Sequence, residues 1–331
     1  MNKHASIKRI VCIGGGTGTF VVLRGLKEYP YHLSAIVTMA DSGGSNKRIR
    51  DEFGLLPTSD IRQCFVALSD ENGGAGLLRK LFIYRFKKGT GISGMTFGNL
   101  FMAALSDILG SQAEAISQTR KVLRIKGTVI PVSYTKTNLM AMYEDGTVAS
   151  EEHVIDEPPH DGKLRITRAY LQPPAVANPQ ALEAIAKSDM IVLGPGDLYT
   201  SLIPNLLVQG ISDALKKSKG RKVYIMNLMT KWGQTYNFTA RDHIRVLSDY
   251  LRFFPDVVIV NSAPLIKSAV ALYAKGNELP VVDDLSGGQY KIIRAPVASS
   301  RMTTKIKSDT LIRSFIRHDS DKLANVLVGL V

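Results

Sequence analysis

The sequence predicts an α/β fold of the Rossmann-like, doubly wound kind: a mainly parallel sheet with helices on both faces and an antiparallel β-rich insertion. Three observations predict it. The apolar run Ile10-Val11-Cys12-Ile13 leads into Gly14-Gly15-Gly16-Thr17-Gly18-Thr19 and then into a helical pattern from Phe20 to Lys27. Strand and helix patterns alternate through the first 130 residues and resume after residue 178, as parallel sheets require. Between them, residues 127–171 change to a period of two, the mark of half-buried antiparallel strands.

The elements follow in order. A strand at Ile7–Ile13, a helix from Gly18 and a strand at His32–Met39 open the chain. A polar loop, Ala40 to Asn46, precedes helical stretches, with Thr58, Ser59 and Asp60 as N-cap candidates before the run Ile61 to Leu68. Helices are expected around Ala75–Phe86, Gly98–Leu109 and Ser111–Leu123, and a mobile glycine-rich loop at Gly89–Gly94. The β-rich insertion reads as strands Thr128–Ser133, Asn138–Tyr143, Thr147–Ile155 and Lys163–Leu171, with a turn at Glu144-Asp145-Gly146. Asn178 caps a helix whose first residue is Pro179. Asp189–Leu193, Arg221–Asn227 and Asp256–Asn261 are further strands, with helices from Thr239 and Pro264. A helical segment over about 305–331 closes a single domain spanning 1–331.

Composition narrows the function classes. The chain has 331 residues, 45% of them hydrophobic, and a mean hydropathy of +0.02, enough for a large core. It has no run of about 18 apolar residues of the kind a membrane span needs. Its first residues lead into strand one without a signal-peptide apolar region, so a cytoplasmic location is expected. The two cysteines, Cys12 and Cys64, lie far apart and predict reduced thiols. Net charge is +13 with a pI near 9.6, but the basic residues are spread along helical faces, as at Arg79 to Arg85. No nucleic-acid motif accompanies them, and no nucleic-acid partner is expected.

The chemistry lies in loops that follow strands. Consecutive glycines at 14, 15, 16 and 18 let backbone N–H groups at a helix start approach an anion closely. The dinucleotide fingerprint would need a glycine where Thr19 stands, and a P-loop would need a lysine after the glycines. The loop therefore marks a phosphate without saying which compound carries it. After strand two, Asp41 has two readings: a ligand for Mg²⁺ or a sugar hydroxyl, or an Asx turn onto its own backbone. Gly43, Gly44 and Ser45 beside it offer amides to a further phosphate oxygen. Gly194 and Gly196 follow a third strand, with Tyr199, Thr200 and Ser201 behind them. Asn227 and Thr230 end a fourth, and Asn99 opens a helix. Loops converging on one sheet edge make a nucleotide-sized anionic ligand the natural occupant.

The strings GGGTGT at 14–19, DSGGS at 41–45, LLPTSDIRQCFVALS at 55–69, GNL at 98–100, LQPP at 171–174, GPGDLYTSLIPNLL at 194–207, NLMT at 227–230 and TARDH at 239–243 carry a resemblance. Jointly they are similar to the 2-phospho-L-lactate transferase-like (CofD-like) superfamily, in its bacterial gluconeogenesis-factor (YvcK) branch. The resemblance implies a nucleotide-diphosphate ligand. In the transferase branch, a phosphate-bearing lactyl group passes from a guanosine diphosphate donor to a deazaflavin precursor with Mg²⁺. The gluconeogenesis-factor branch is associated with UDP-sugars, notably UDP-N-acetylglucosamine, and with carbon flux, cell-wall synthesis and cell shape; no settled reaction goes with it. Carried over, Gly15 to Gly18 grip the nucleotide and Asp41, Gly43 and Gly44 line the diphosphate or metal side. Asn99, Gly194, Gly196, Tyr199, Thr200, Asn227 and Thr230 close the pocket. The family commonly shows two adjacent acids where this chain has Asp41-Ser42, and Asn46-Lys47 replaces small residues. One carboxylate fewer weakens a Mg²⁺ site, which prefers clustered hard oxygens, and favours holding a nucleotide sugar over transforming it. Mg²⁺ and a homo-oligomeric state both stay open.

Overall fold

The computed structural model describes residues 7–43, 45–71, 73–302 and 314–331. The chain runs β1 (Arg9–Gly14), α1 (Gly16–Leu26), β2 (His32–Val37), then five helices: α2 (Ser45–Phe53), α3 (Ser59–Leu68), α4 (Gly73–Ile83), α5 (Phe97–Leu109) and α6 (Gln112–Val122). Next come β3 (Thr128–Pro131), β4 (Asn138–Tyr143), β5 (Val148–Ser150), α7 (Glu152–Asp156), β6 (Ile166–Gln172), α8 (Pro179–Ala186) and β7 (Met190–Leu193). A π-helical turn, Leu198–Leu202, runs into α9 (Ile203–Leu206) and α10 (Ile211–Lys217). β8 (Arg221–Ile225), α11 (Ala240–Leu251), β9 (Val257–Asn261), α12 (Lys267–Ala274), β10 (Lys291–Ala295) and α13 (Ser320–Val328) complete it.

The main sheet has the order β3-β2-β1-β7-β8-β9-β10 with every neighbouring pair parallel. The strand order reverses between β1 and β7, the crevice where doubly wound sheets receive ligands. Its central strands read as continuous apolar runs because both faces are covered. From β1, Val11 and Ile13 enter a core with α8, α10, α11 and the insertion, while Ile10 and Cys12 enter another with α1, α3 and α13. Cys12 and Cys64 are both free and buried. Burial pushes the Cys12 thiol up to about 12, so it serves as a small hydrophobe.

The antiparallel insertion is a three-stranded sheet, β5-β4-β6. Alternation along β4 turns Leu139, Ala141 and Tyr143 inward. Thr128–Pro131 is not part of it: this strand pairs in parallel with β2, and its Val129 and Ile130 feed opposite cores. The strand expected at Thr147–Ile155 stops at Ser150, where Glu151 takes a left-handed φ of +78° and α7 begins. β10 carries charge along an edge, KIIRA, and has no counterpart in the sequence reading. The loop Gly89–Gly94 is a hydrogen-bonded hairpin whose turn carbonyls at Gly91 and Ser93 accept from the Arg48 guanidinium at 2.8 and 3.3 Å. Of the C-terminal segment, α13 lies among the described residues and packs on α1, while residues 305–313 fall outside them. No helix among the described residues is long and apolar enough to cross a membrane.

Candidate functional site

The glycine loop lies where the strand order reverses. Gly14 ends β1, and its carbonyl accepts from the Asn205 amide at 3.2 Å. Gly15 is extended, and α1 starts at Gly16, so the first amides of α1 open onto the carboxyl edge of the sheet. The glycines have identifiable neighbours. A Cβ on Gly15 or Gly16 would stand 2.8 or 2.7 Å from the Asp60 carboxylate. A Cβ on Gly18 would stand 1.9 Å from the Pro195 carbonyl, so α1 meets the loop after β7 at backbone distance. The Thr17 hydroxyl bonds Gln63 Oε1 at 3.3 Å. Asp60, read from sequence only as an N-cap candidate, is thus the carboxylate that faces the cradle from α3.

The second loop sits beside it. Asp41 forms the Asx turn: its Oδ1 accepts from the Gly43 N–H at 2.9 Å, and its Oδ2 accepts from the Asn46 amide. Asn46 Oδ1 in turn accepts from the Ser59 hydroxyl at 2.9 Å and from the Thr58 and Ser59 N–H groups at 3.3 Å. Asn46 therefore couples the Asp41 loop to the start of α3, a role the sequence reading missed. Ser42 is buried. Its Oγ lies 3.0 Å from His153 Nδ1 and accepts from the His153 N–H at 3.1 Å, while its own N–H donates to Glu152 at 3.4 Å. The hydroxyl that stands in place of a second acid thus docks the loop onto α7. Gly44 falls outside the described residues; Ser45 begins α2. Asn99 is buried inside α5, capped instead by Thr96, and it links Ser59 at 3.2 Å to the Arg62 guanidinium at 3.2 Å. It stands in the wall behind the loop.

The third loop holds Gly194 and Gly196 at φ +74° and +147°. The Asn227 amide donates to the Gly196 carbonyl at 2.8 Å, so the strand-four residue braces the loop after β7. The Thr200 hydroxyl bonds Gln234 at 3.5 Å, and Gln234 donates on to Asp156 at 3.1 Å. Tyr199 and Thr230 face the scaffold: the tyrosine hydroxyl reaches the Ile166 carbonyl, and Thr230 exchanges bonds with Leu279. Burial raises the Tyr199 phenol well above its ordinary value. Lys47 is exposed; Lys231 is not, and pairs with Asp156 and Glu278, each at 3.6 Å.

These contacts gather carboxylates around the glycine cradle. Burial, then Asp41, Asp156 and Asp60, push the Glu152 carboxyl well above its usual range. Burial and then Asp156 push Asp197 up to about 6, with Lys231 opposing. Burial works against the Lys231 ammonium, yet Asp156, Asp197 and Glu278 outweigh it and hold its pKa above normal. Among the described residues no group of three His, Cys, Asp or Glu side chains could hold a metal ion by itself. A cation here would need phosphate oxygens and water to complete its shell, which is how Mg²⁺ is commonly held. A cavity of about 140 Å³ opens beyond the ends of β2 and β3, lined by Met39, Arg50, Leu56, Lys136 and Thr137 among others. The edge therefore offers amides to an anion and carboxylates to hydroxyl or amide donors; the cavity is lined by none of these groups.

This architecture has known relatives. The profile of the family described as 2-phospho-L-lactate transferase CofD matches residues 10–299. The chain belongs to the CofD family. The gluconeogenesis factor of Halalkalibacterium halodurans is 40% identical over 323 residues, covering 97% of this chain and 96% of that protein. The gluconeogenesis factor of Bacillus subtilis is 39% identical over 325 residues, covering 98% of each. The expected gluconeogenesis-factor (YvcK) branch of the CofD family is thereby shown. A crystal structure of a Bacillus halodurans protein superimposes on the CofD-family chain with a TM-score of 0.88 at 38% identity, covering 97% of this chain and 99% of that one. The Rossmann-like parallel sheet with its antiparallel insertion is the fold that the sequence predicts.

Proposed function

We propose that this chain is a regulatory protein of the gluconeogenesis-factor type that holds a UDP-sugar, of the UDP-N-acetylglucosamine kind, in the cytoplasm. In this reading it couples carbon flux to cell-wall synthesis and cell shape. One observation carries it: the glycine-lined start of α1 opens at the strand-order reversal with Asp60 against it, and Asp60 in turn lies within electrostatic reach of Glu152, which also feels Asp41. Phosphates suit the free amides and the positive end of the helix. The carboxylates repel phosphate but accept well from sugar hydroxyls and from an acetamido N–H. In this reading the diphosphate takes the amides at the start of α1 and the sugar lies toward Asp41 and Glu152.

The second reading is Mg²⁺-dependent transfer from a guanosine diphosphate donor to a deazaflavin coenzyme precursor. The mutual repulsion of Glu152, Asp41, Asp156 and Asp60 favours it, because a divalent cation would relieve that repulsion. Asp41 and Asp60 would then hold the ion together with the diphosphate, and the ion would supply charge neutralisation.

Titration calorimetry with UDP-N-acetylglucosamine, UDP and GDP, in Mg²⁺ and in EDTA, separates the two. Binding of the UDP-sugar in both media is the expected result. No heat at millimolar UDP-sugar would overturn the proposal, and binding confined to GDP with Mg²⁺ would favour the transferase.

A further inference from the structure

The outer side of α4 is built in a way that nucleotide binding does not use. Phe82 turns inward and is buried against Phe97 and Phe101. Leu77 and Leu81, spaced i and i+4 along one line of the helix, and Tyr84 just past its end stay 64, 40 and 50% exposed. Ile83 at the helix end and Ile92 in the following hairpin add two more exposed apolar side chains. Lys80, Lys87 and Lys88 stand exposed among them. Between Glu71 and Asp107 the chain carries five Lys and Arg residues and no Asp or Glu. The hairpin is pinned by the Arg48 bonds to Gly91 and Ser93 and by Arg85 to the Gly94 carbonyl at 2.6 Å, so its tip is presented in a fixed place.

A run of large apolar side chains left in water marks an interaction surface. The basic residues around it select the occupant. A second copy docked by a two-fold axis would set the same patch against itself, and residues 72–106 contain no acid to answer the lysines, at a repulsive cost. An anionic bilayer surface satisfies both features, its acyl boundary taking the leucines, isoleucines and tyrosine and its headgroups taking the lysines. We propose that α4 and the Arg85–Thr96 hairpin form a peripheral docking face for anionic lipid membranes. The contact is reversible and salt-sensitive, since a short amphipathic face with a few basic residues gives modest affinity.

The test is co-sedimentation of the full chain with phosphatidylcholine vesicles, with and without phosphatidylglycerol, at low and high salt. Binding is expected only with phosphatidylglycerol, falling as salt rises. Replacing Lys80, Lys87 and Lys88 by glutamine is expected to weaken it by about fivefold per lysine. Leu77→Ser/Leu81→Ser is expected to weaken it while leaving the far-UV spectrum, the melting temperature and UDP-sugar binding in place. Absence of binding to anionic vesicles overturns the proposal, as does binding that neither set of substitutions changes. A concentration-dependent dimer at sedimentation equilibrium that the Leu77→Ser/Leu81→Ser variant abolishes would assign the face to a second copy and overturn it too.

Discussion

Gly18 is where a single methyl group is expected to do the most damage, because its Cβ would lie 1.9 Å from the Pro195 carbonyl, a backbone atom that cannot swing aside. Gly18→Ala should destabilise by about 3 kcal/mol or more, the upper part of the overpacking range. At Gly43 the nearest atom to an added Cβ is 3.6 Å away, so Gly43→Ala should change stability by only about 0.5 kcal/mol. Urea denaturation of both variants checks the contrast; equal losses would remove Gly18 as the close-approach position. Asp197 makes a different prediction. Its carboxyl has a folded pKa of about 6 against an ordinary value of 3.8, so between these values the folded state holds a proton that the unfolded chain has released. Stability from this group is full below about pH 4 and is lost as pH rises through 6. Asp197→Asn removes that titration, and melting curves from pH 4 to 8 should show the variant gaining on the parent chain as pH rises. A pH-independent difference would mean that Asp197 is not buried against Asp156.

Lys231 joins elements that are distant in sequence: Asp156 ends α7 of the insertion, and Glu278 precedes β10. Lys231→Met leaves these acids and Asp197 facing one another, and should cost about 2 kcal/mol, below the fully buried range because the ammonium is partly exposed. Lys187→Met, which removes an exposed helical pair with Glu183, should cost about 0.3–0.5 kcal/mol. Denaturation midpoints of the two variants test whether the insertion is tied down through Lys231. This coupling was not legible in the sequence, where the partners of Lys231 lie 75 and 47 positions away. What was legible has a local cause. Asn178 does accept from the Gln180 N–H with Pro179 behind it, and Thr239 caps α11 in a capping box with Asp242, because caps need only neighbours in the chain. The alternation of β4 survived for the same reason. The boundary of the insertion did not, since whether Thr128–Pro131 pairs with β2 or β4 is decided by long-range packing on both faces. Asp60, Asn46 and Asp197 escaped as site residues likewise: nothing within a few residues of each shows what it faces.

The molecule as a whole brings three sources together at one edge: the parallel sheet supplies the cradle after β1 and β7, the Asp41–Asn46 loop supplies carboxylate and amide, and the insertion supplies α7. Ser42 and Gln234 are the joints, one bonding His153 and the other Asp156. A ligand that bridges cradle and acids must therefore stiffen all three at once, and not the glycine loop alone. Two measurements follow from that. A ligand that binds only the folded chain stabilises it by about 2.7 kcal/mol at a hundredfold excess over Kd, so UDP-N-acetylglucosamine should raise the melting temperature in proportion to the logarithm of its concentration. In hydrogen exchange, the same ligand should slow amides at 14–18, 41–43, 152–156 and 194–200 together, since local opening of one joint frees the others. The α4 face and the Arg85–Thr96 hairpin should exchange unchanged, because no bond in the Ser42 or Gln234 joints reaches them. Protection limited to 14–18 would mean that the phosphates bind and the insertion takes no part, leaving Glu152 and Asp156 as scaffold. Protection spreading to 152–156 would make α7 the element that reads the sugar.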